Sequence, residues 1–403
     1  MKASKLKTSF FLWSLTLVFV TLPMPKYSLN SQAIILLVIS WLTYNPFREK
    51  YNLFRKNFSS ILILSSIYIV LLFGMIYTYN ISHGLGQLKD KIPFIIIPLI
   101  FGTTQFWSGK YKYKLIRVFS YSVVCMALFS IMKALYIYYN GLGEYFIYDK
   151  LSLLLNKHTT YYSLFCVIAI SYFLYDSIKL KEMNRMVSIL FITILLIFIY
   201  LLSARIAIVA LILIAIYYIK IIITDRKHKF FLTVLVVLAL LGTLFFSSNY
   251  ITRFESISDN PNKLAENNEF NTRLVHWKSA IQTLGTIDYI FGKGTGDGKE
   301  GLYPQYLKND FIIGYQQKYN AHNQYIEFLM SNGILGLIAY FCLIFSVLIY
   351  SIRFNDIYGV LIMLLFLMFS ITESILERHS GILIVAILTS LIYFSNKELL
   401  EQK

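Results

Sequence analysis

Two side chains stand where a long polar stretch gives way to an apolar one: His322 and Asn323, in NAHNQYIEFLMSNGILG over residues 320–336. Histidine titrates near neutrality, so a neutral imidazole at this boundary can accept a proton from a hydroxyl. A helix N-terminus beside it favours anions and disfavours an imidazolium, which suits acid–base chemistry on an anionic substrate. The same pair also reads as an interfacial cap on a membrane helix, and spacing alone does not separate the two. Gly333 and Gly336, spaced as small residues within the following helix, leave room for another backbone to approach.

The remaining candidates are mostly cationic. Arg205 stands in Ser203-Ala204-Arg205, between two long apolar runs. An Arg in that setting is expensive, and its guanidinium can grip a phosphate through two parallel hydrogen bonds. The bland reading is an Arg reaching up to the headgroups from a tight helical hairpin. Arg273 and Trp277 lie four residues apart in NTRLVHW and share one face of a helix, a cation beside an aromatic that suits a sugar-phosphate ligand. Lys133 sits near the end of an apolar segment and is expected to point toward a polar cavity. His158 opens another such segment. Glu373, Glu377, Arg378 and His379 cluster within seven residues, with Glu377 and Arg378 expected to pair as a structural clasp. Residues 291–298, FGKGTGDG, invite a phosphate-loop reading, but the Gly-Lys-Ser/Thr ending and a strand–loop–helix setting are missing. They read as a flexible turn near the substrate. The sequence offers no Asp-x-Asp, no His-x-x-x-His and no carboxylate cluster suited to a divalent ion, so no metal and no cofactor is expected.

The elements that must hold these residues are membrane helices. Of 403 residues, 57% are hydrophobic and only 14% charged, and apolar runs recur at lengths that cross a bilayer. An all-α polytopic membrane protein is expected. Its twelve helices fall at 8–22, 29–44, 58–79, 92–107, 115–139, 159–175, 186–202, 206–223, 230–246, 323–350, 357–372 and 380–394. Nine therefore occupy residues 1–246 and three occupy 322–395, with a tail at 396–403. Residues 247–321 form one large polar insertion, too long for an ordinary connection and read as a small folded cap. The net charge of +16 comes from Lys and Arg scattered over short loops, as the positive-inside rule expects, and not from one soluble domain that would bind nucleic acid. With both termini in the cytoplasm, the cap, Arg205, His158 and residues 373–379 share the outer face. Cys125, Cys166 and Cys342 lie in apolar segments and act as small hydrophobes. The N-terminus imitates a signal peptide but lacks a cleavage pattern, so it reads as a first helix that is retained.

Taken together, these residues resemble the O-antigen ligase and O-antigen polymerase superfamily. The resemblance rests on His322-Asn323 followed by Gly333 and Gly336, on Arg205 between two helices, and on Arg273 with Trp277 in the large loop. The Gly-rich 291–298 and the late junction of Glu373 and Arg378 also agree. It implies a metal-independent, inverting glycosyltransferase in a bacterial inner membrane, with its active site on the periplasmic face. The implied donor is a glycan on undecaprenyl pyrophosphate. The implied acceptor is lipid A–core for a ligase, or a second lipid-linked glycan for a polymerase, and ligase is the preferred reading. By the resemblance, Arg205 and Arg273 bind the pyrophosphate and His322 is the base; beside them Asn323, Trp277, Lys133, His158, Glu373 and Arg378 are read as substrate contacts. A reading from another class, a small-anion transporter or flippase built on Lys133 and Arg205, calls for repeated halves with broken helices, and no internal repeat is evident.

Overall fold

Residues 159–175 contain no polar face, and a helix that is apolar all round must be buried. In the computed structural model, which describes residues 2–105, 109–222 and 269–401, this run is the bundle's axis. It forms a helix over Thr159–Tyr175 with nearly every side chain buried. In chain order the described helices are α1 (Lys2–Thr21), α2 (Tyr27–Tyr44), α3 (Phe47–Leu64), α4 (Ser66–Gly74), α5 (Ile81–Lys91), α6 (Pro93–Gly102), α7 (Gly109–Tyr139), α8 (Tyr148–Leu153), α9 (Thr159–Tyr175), α10 (Arg185–Leu202) and α11 (Arg205–Ile222). They continue with α12 (Glu269–Gln282), α13 (Asp288–Phe291), α14 (Leu302–Lys308), α15 (Ile312–Gln316), α16 (Gln324–Arg353), α17 (Ile357–Thr372) and α18 (His379–Glu401). Helices α7, α10, α11 and α17 pack around α9. No strand occurs among the described residues.

Five described helices are long and apolar enough to cross a membrane, in α7, α9, α10, α16 and α18, and a bent pair would make a sixth. This is an all-α membrane protein, with fewer full spans among the described residues than the twelve expected. The expected helix at 230–246 lies outside them. The expected helix at 58–79 is broken at Ser65-Ser66, where α3 and the segment Ser66–Tyr77 meet at 64°. A serine pair is a common place for a kink, and here Ser66 Oγ donates to the carbonyl of Ala339 at 2.7 Å. The expected helix at 92–107 is represented by α6, whose 10 residues reach only ~15 Å, about half a hydrocarbon core.

The larger departure is at Gly333. The helix expected to run unbroken from 323 to 350 turns there through φ +61°, ψ −153°. Its first part folds back on its second: the Tyr325 ring lies 5.8 Å from Tyr340 and 5.6 Å from Phe341, and Phe328 lies 5.7 Å from Tyr340. A straight helix would separate residues 325 and 340 by ~22 Å. Such a break orphans backbone carbonyls. Those of Met330 and Ser331 accept instead from the N–H groups of Lys293, at 2.8 Å, and Gly294, at 2.9 Å. The Gly-rich stretch is therefore a buried wedge and not a flexible turn. Its Asp297 carboxylate accepts from the backbone N–H of Tyr79 at 2.7 Å and of Asn80 at 2.8 Å. A second backbone does approach at Gly333, whereas Gly336 faces only Asn332 and Phe328 of its own helix.

A Cβ on Gly333 would overlap the carbonyl oxygen of Ile290, in a backbone region that L-residues rarely enter. Gly333→Ala is expected to cost about 2–4 kcal/mol, combining backbone strain with the clash. The check is the thermal unfolding midpoint in detergent, where an unchanged midpoint would contradict the wedge.

Helices α12 and α14 supply Ala280, Leu302 and Tyr306 to a small core that Phe311 and Ala321 complete. Met330 of α16 joins it, so this core is continuous with the folded-back segment that begins at Gln324.

Candidate functional site

Helix α17 ends at Thr372, and Glu373 follows in extended conformation before a short turn, Ile375–Glu377, leads into α18. Opposite it comes the segment Asn320–Asn323, whose backbone is held by side chains at three consecutive amides. Ala321 N–H donates to Glu327 Oε1 at 2.7 Å, His322 N–H to Asn320 Oδ1 at 3.0 Å, and Asn323 N–H to Ser374 Oγ at 3.2 Å. These bonds fix His322 at φ +46°, a conformation a non-glycine residue holds only when its surroundings impose it. Asn323 is the N-cap of α16, its Oδ1 accepting from the N–H groups of Tyr325 at 2.9 Å and Ile326 at 3.2 Å. Its side-chain oxygen is thus engaged by the helix.

This arrangement brings the His322 ring against Glu373, with Nδ1 3.3 Å from Oε1. Glu373 is only 3% exposed, His322 24%. Burial alone would raise the Glu373 pKa, but the hydrogen bond and charge of His322, followed by the charges of His158 and Arg273, outweigh it and hold the carboxyl at about 2. An ionised carboxylate can only accept, so the His322 proton is directed to Nδ1 and the lone pair to Nε2. That is the geometry of a general base oriented by a carboxylate.

Around this pair the structure gathers most of the expected residues. Arg273 is half-buried on α12, and its charge bears on both Glu373 and His276. Trp277 is half-buried one turn on, its indole N–H enclosed without an acceptor among the described residues. His158 caps α9, its Nδ1 accepting from Thr160 N–H at 3.4 Å. Burial lowers its pKa, with Glu373 opposing and Arg378 reinforcing the shift. Arg205 is half-buried as the first residue of α11. Farther along α11, Tyr217 donates to the carbonyl of Ile357 at the start of α17. The beginning of α11 therefore lies level with the end of α17, at the end of the bundle that carries Glu373. Lys133 is not brought into this group: it is exposed on α7 and does not turn to a cavity.

The expected clasp of Glu377 with Arg378 does not form. The guanidinium of Arg378 lies 5.9 Å from the Tyr161 ring centre, and Tyr161 Oη donates to the Ser374 carbonyl at 2.7 Å. Glu377 points elsewhere, between Lys91 at 3.0 Å and Lys299, so it ties α5 to the segment preceding α14. Burial raises the Glu377 pKa, but the two ammonium groups outweigh it and hold the carboxyl well below its usual range. The reason is local geometry: Arg378 is extended and follows a 3₁₀ turn, so adjacent side chains diverge. Glu377→Gln leaves two lysines facing each other, one of them 3% exposed, and is expected to cost about 3 kcal/mol of stability. Thermal unfolding of the purified variant checks this, and a loss smaller than that of Lys299→Met would contradict it.

The residues missed from sequence are Lys91, Lys299, Ser374, Glu327 and His276. For Glu327 a signal exists, since an acid inside an apolar run is costly unless it has partners. His276 lies inside the NTRLVHW stretch, but nothing in its spacing marks it. Among the described residues no group of three or more His, Cys, Asp or Glu side chains is arranged to hold a metal ion.

Residues 189–341 match the family model described as O-antigen ligase. No curated protein matches the chain. The matched segment contains Arg205, Arg273, His276, Trp277, His322 and Asn323, while Lys133, His158, Glu373 and Arg378 fall outside it. Through that segment the chain is similar to the O-antigen ligase family, in line with the resemblance read from its residues.

Proposed function

We propose that the protein is a metal-independent, inverting glycosyltransferase that moves a glycan from undecaprenyl pyrophosphate to a sugar hydroxyl, joining O-antigen to lipid A–core. The observation that carries this reading is the His322–Glu373 pair, with Nδ1 and Oε1 at 3.3 Å. His322 Nε2 takes the acceptor proton as the hydroxyl oxygen attacks the anomeric carbon. The bond from that carbon to the pyrophosphate oxygen breaks as the new C–O bond forms, and its electron pair leaves with the pyrophosphate. A single displacement inverts the anomeric centre. Glu373 stabilises the imidazolium that results. Arg273 and Arg205 neutralise the charge that grows on the departing pyrophosphate, the work a metal does elsewhere. Trp277 supplies an aromatic face for the sugar.

Orientation follows from charge. Lys112, Arg117, Lys179, Lys181 and Arg185 lie where α7, α10 and α17 begin and α9 ends, the end opposite Glu373. Basic residues there favour the cytoplasm, which leaves the His322 end in the periplasm of the inner membrane.

The deciding experiment incubates purified protein with a lipid-linked repeat, with and without lipid A–core. Core-linked product supports ligase, and polymer formed without core makes it a polymerase using the same residues. No transfer with either acceptor rejects the reading.

A further inference from the structure

We propose that His276 and Tyr306 form a buried positioning pair for His322, the cap's counterpart to the support that Glu373 gives from the helix bundle. This inference rests on the glycosyl-transfer reading for its kinetic consequences.

His276 is 2% exposed on α12 and has no route to substrate. Its ring is boxed by Phe311 at 5.1 Å, Tyr306 at 5.3 Å and Tyr319 at 5.7 Å, with the fourth side being His322 at 5.1 Å. Its Nδ1 lies 2.7 Å from Tyr306 Oη. Tyr306 Oη has one proton and donates it to the Asn320 carbonyl at 3.2 Å. The His276–Tyr306 bond must then be donated by His276, so Nδ1 carries a proton and, in a neutral ring, Nε2 carries none. Burial, reinforced by the positive charges of His322 and Arg273 and opposed by Glu373, pushes the His276 pKa down to about 3, which agrees with that state.

The pair reaches His322 by two routes. Tyr306 holds the carbonyl of Asn320, whose side-chain oxygen in turn receives the His322 N–H. His276 touches the His322 ring itself. One route fixes a left-handed backbone and the other limits where the ring can swing. A protonated side chain at 276 would repel the imidazolium formed on His322, whereas a neutral imidazole packs beside it without that cost. The base is thus held between an element of the cap and an element of the bundle, and it is in place only when the two are docked.

The test compares Tyr306→Phe, His276→Phe and His276→Asn in the full-length purified protein. Asn keeps an N–H donor near the Nδ1 position, and Tyr306→Phe keeps the ring. Both Phe variants are expected to lower kcat roughly 10–100-fold, with donor KM within about two-fold of the parent, while His276→Asn recovers most of the loss. The double variant Tyr306→Phe/His276→Phe should be no slower than the slower single, because both act through one unit. Unchanged kcat in both Phe variants, or a loss confined to KM, overturns the pair while leaving glycan transfer intact. A second readout needs no transfer activity: the rate of carbethoxylation of His322 by diethyl pyrocarbonate, followed by peptide mass spectrometry. It is expected to change several-fold in Tyr306→Phe, and an unchanged rate overturns the pair whatever becomes of the transferase reading.

Discussion

His322→Ala is expected to stop glycan transfer, lowering kcat by about 10²–10⁴-fold, while the donor still binds. The size of the loss follows from what the variant removes. Without the imidazole, the acceptor hydroxyl must attack with its proton still attached or give it to water, and neither route is aided by the protein. Binding should survive because the cationic groups that meet the pyrophosphate, Arg205 and Arg273, are on α11 and α12 and not on the His322 loop. Folding should survive because the 320–323 backbone is held by Glu327, Asn320 and Ser374 and not by the His322 side chain. The measurement is turnover of lipid-linked glycan beside equilibrium donor binding. Full turnover in this variant would remove His322 as the base, and lost binding would recast it as a substrate ligand.

Glu373→Gln tests the other half of the pair and separates charge from shape. The amide preserves volume and leaves an oxygen to accept from Ser374 N–H, now at 3.2 Å from Glu373 Oε1. It cannot offset the charge of an imidazolium, and if it turns its NH₂ toward Nδ1 it forces the wrong tautomer on His322. The expected fall in kcat is on the order of 10²–10⁴-fold, with the donor KM little changed. A pH effect accompanies it. The Glu373 pKa is lowered to about 2 in the folded protein, below the ordinary carboxyl value of 4.5. A depressed carboxylate contributes stability that is complete above the unfolded value and is lost as pH falls through the folded one. The stability difference between the parent and Glu373→Gln should therefore be constant above about pH 5 and shrink toward about pH 2. Unfolding midpoints across that range check the sign, and a difference that grows on acidification would contradict the assignment.

What could be read without tertiary structure were the features that depend on neighbours in the chain. Helices α9 and α17 begin and end where their apolar runs do, at Thr159–Tyr175 and Ile357–Thr372, because a run without polar interruption has no local alternative to helix. Arg273 and Trp277 fall on one helix, and His322 falls at a helix start, for the same local reason. The resemblance to the O-antigen ligase family was legible too, since it rests on a spacing of residue types, and the match over residues 189–341 agrees with it. The tertiary structure decided the rest. Gly333 marks a fold-back only because residues 290–294 arrive from far along the chain to fill the broken carbonyls. Glu373 and Glu377 stand four residues apart, yet one serves His322 and the other Lys91 and Lys299, because an extended residue and a tight turn send them in different directions. His276 meets His322 through the packing of the cap. Burial and pairing across the fold set the charge state and aim of each side chain, and neither quantity exists until distant segments are brought together.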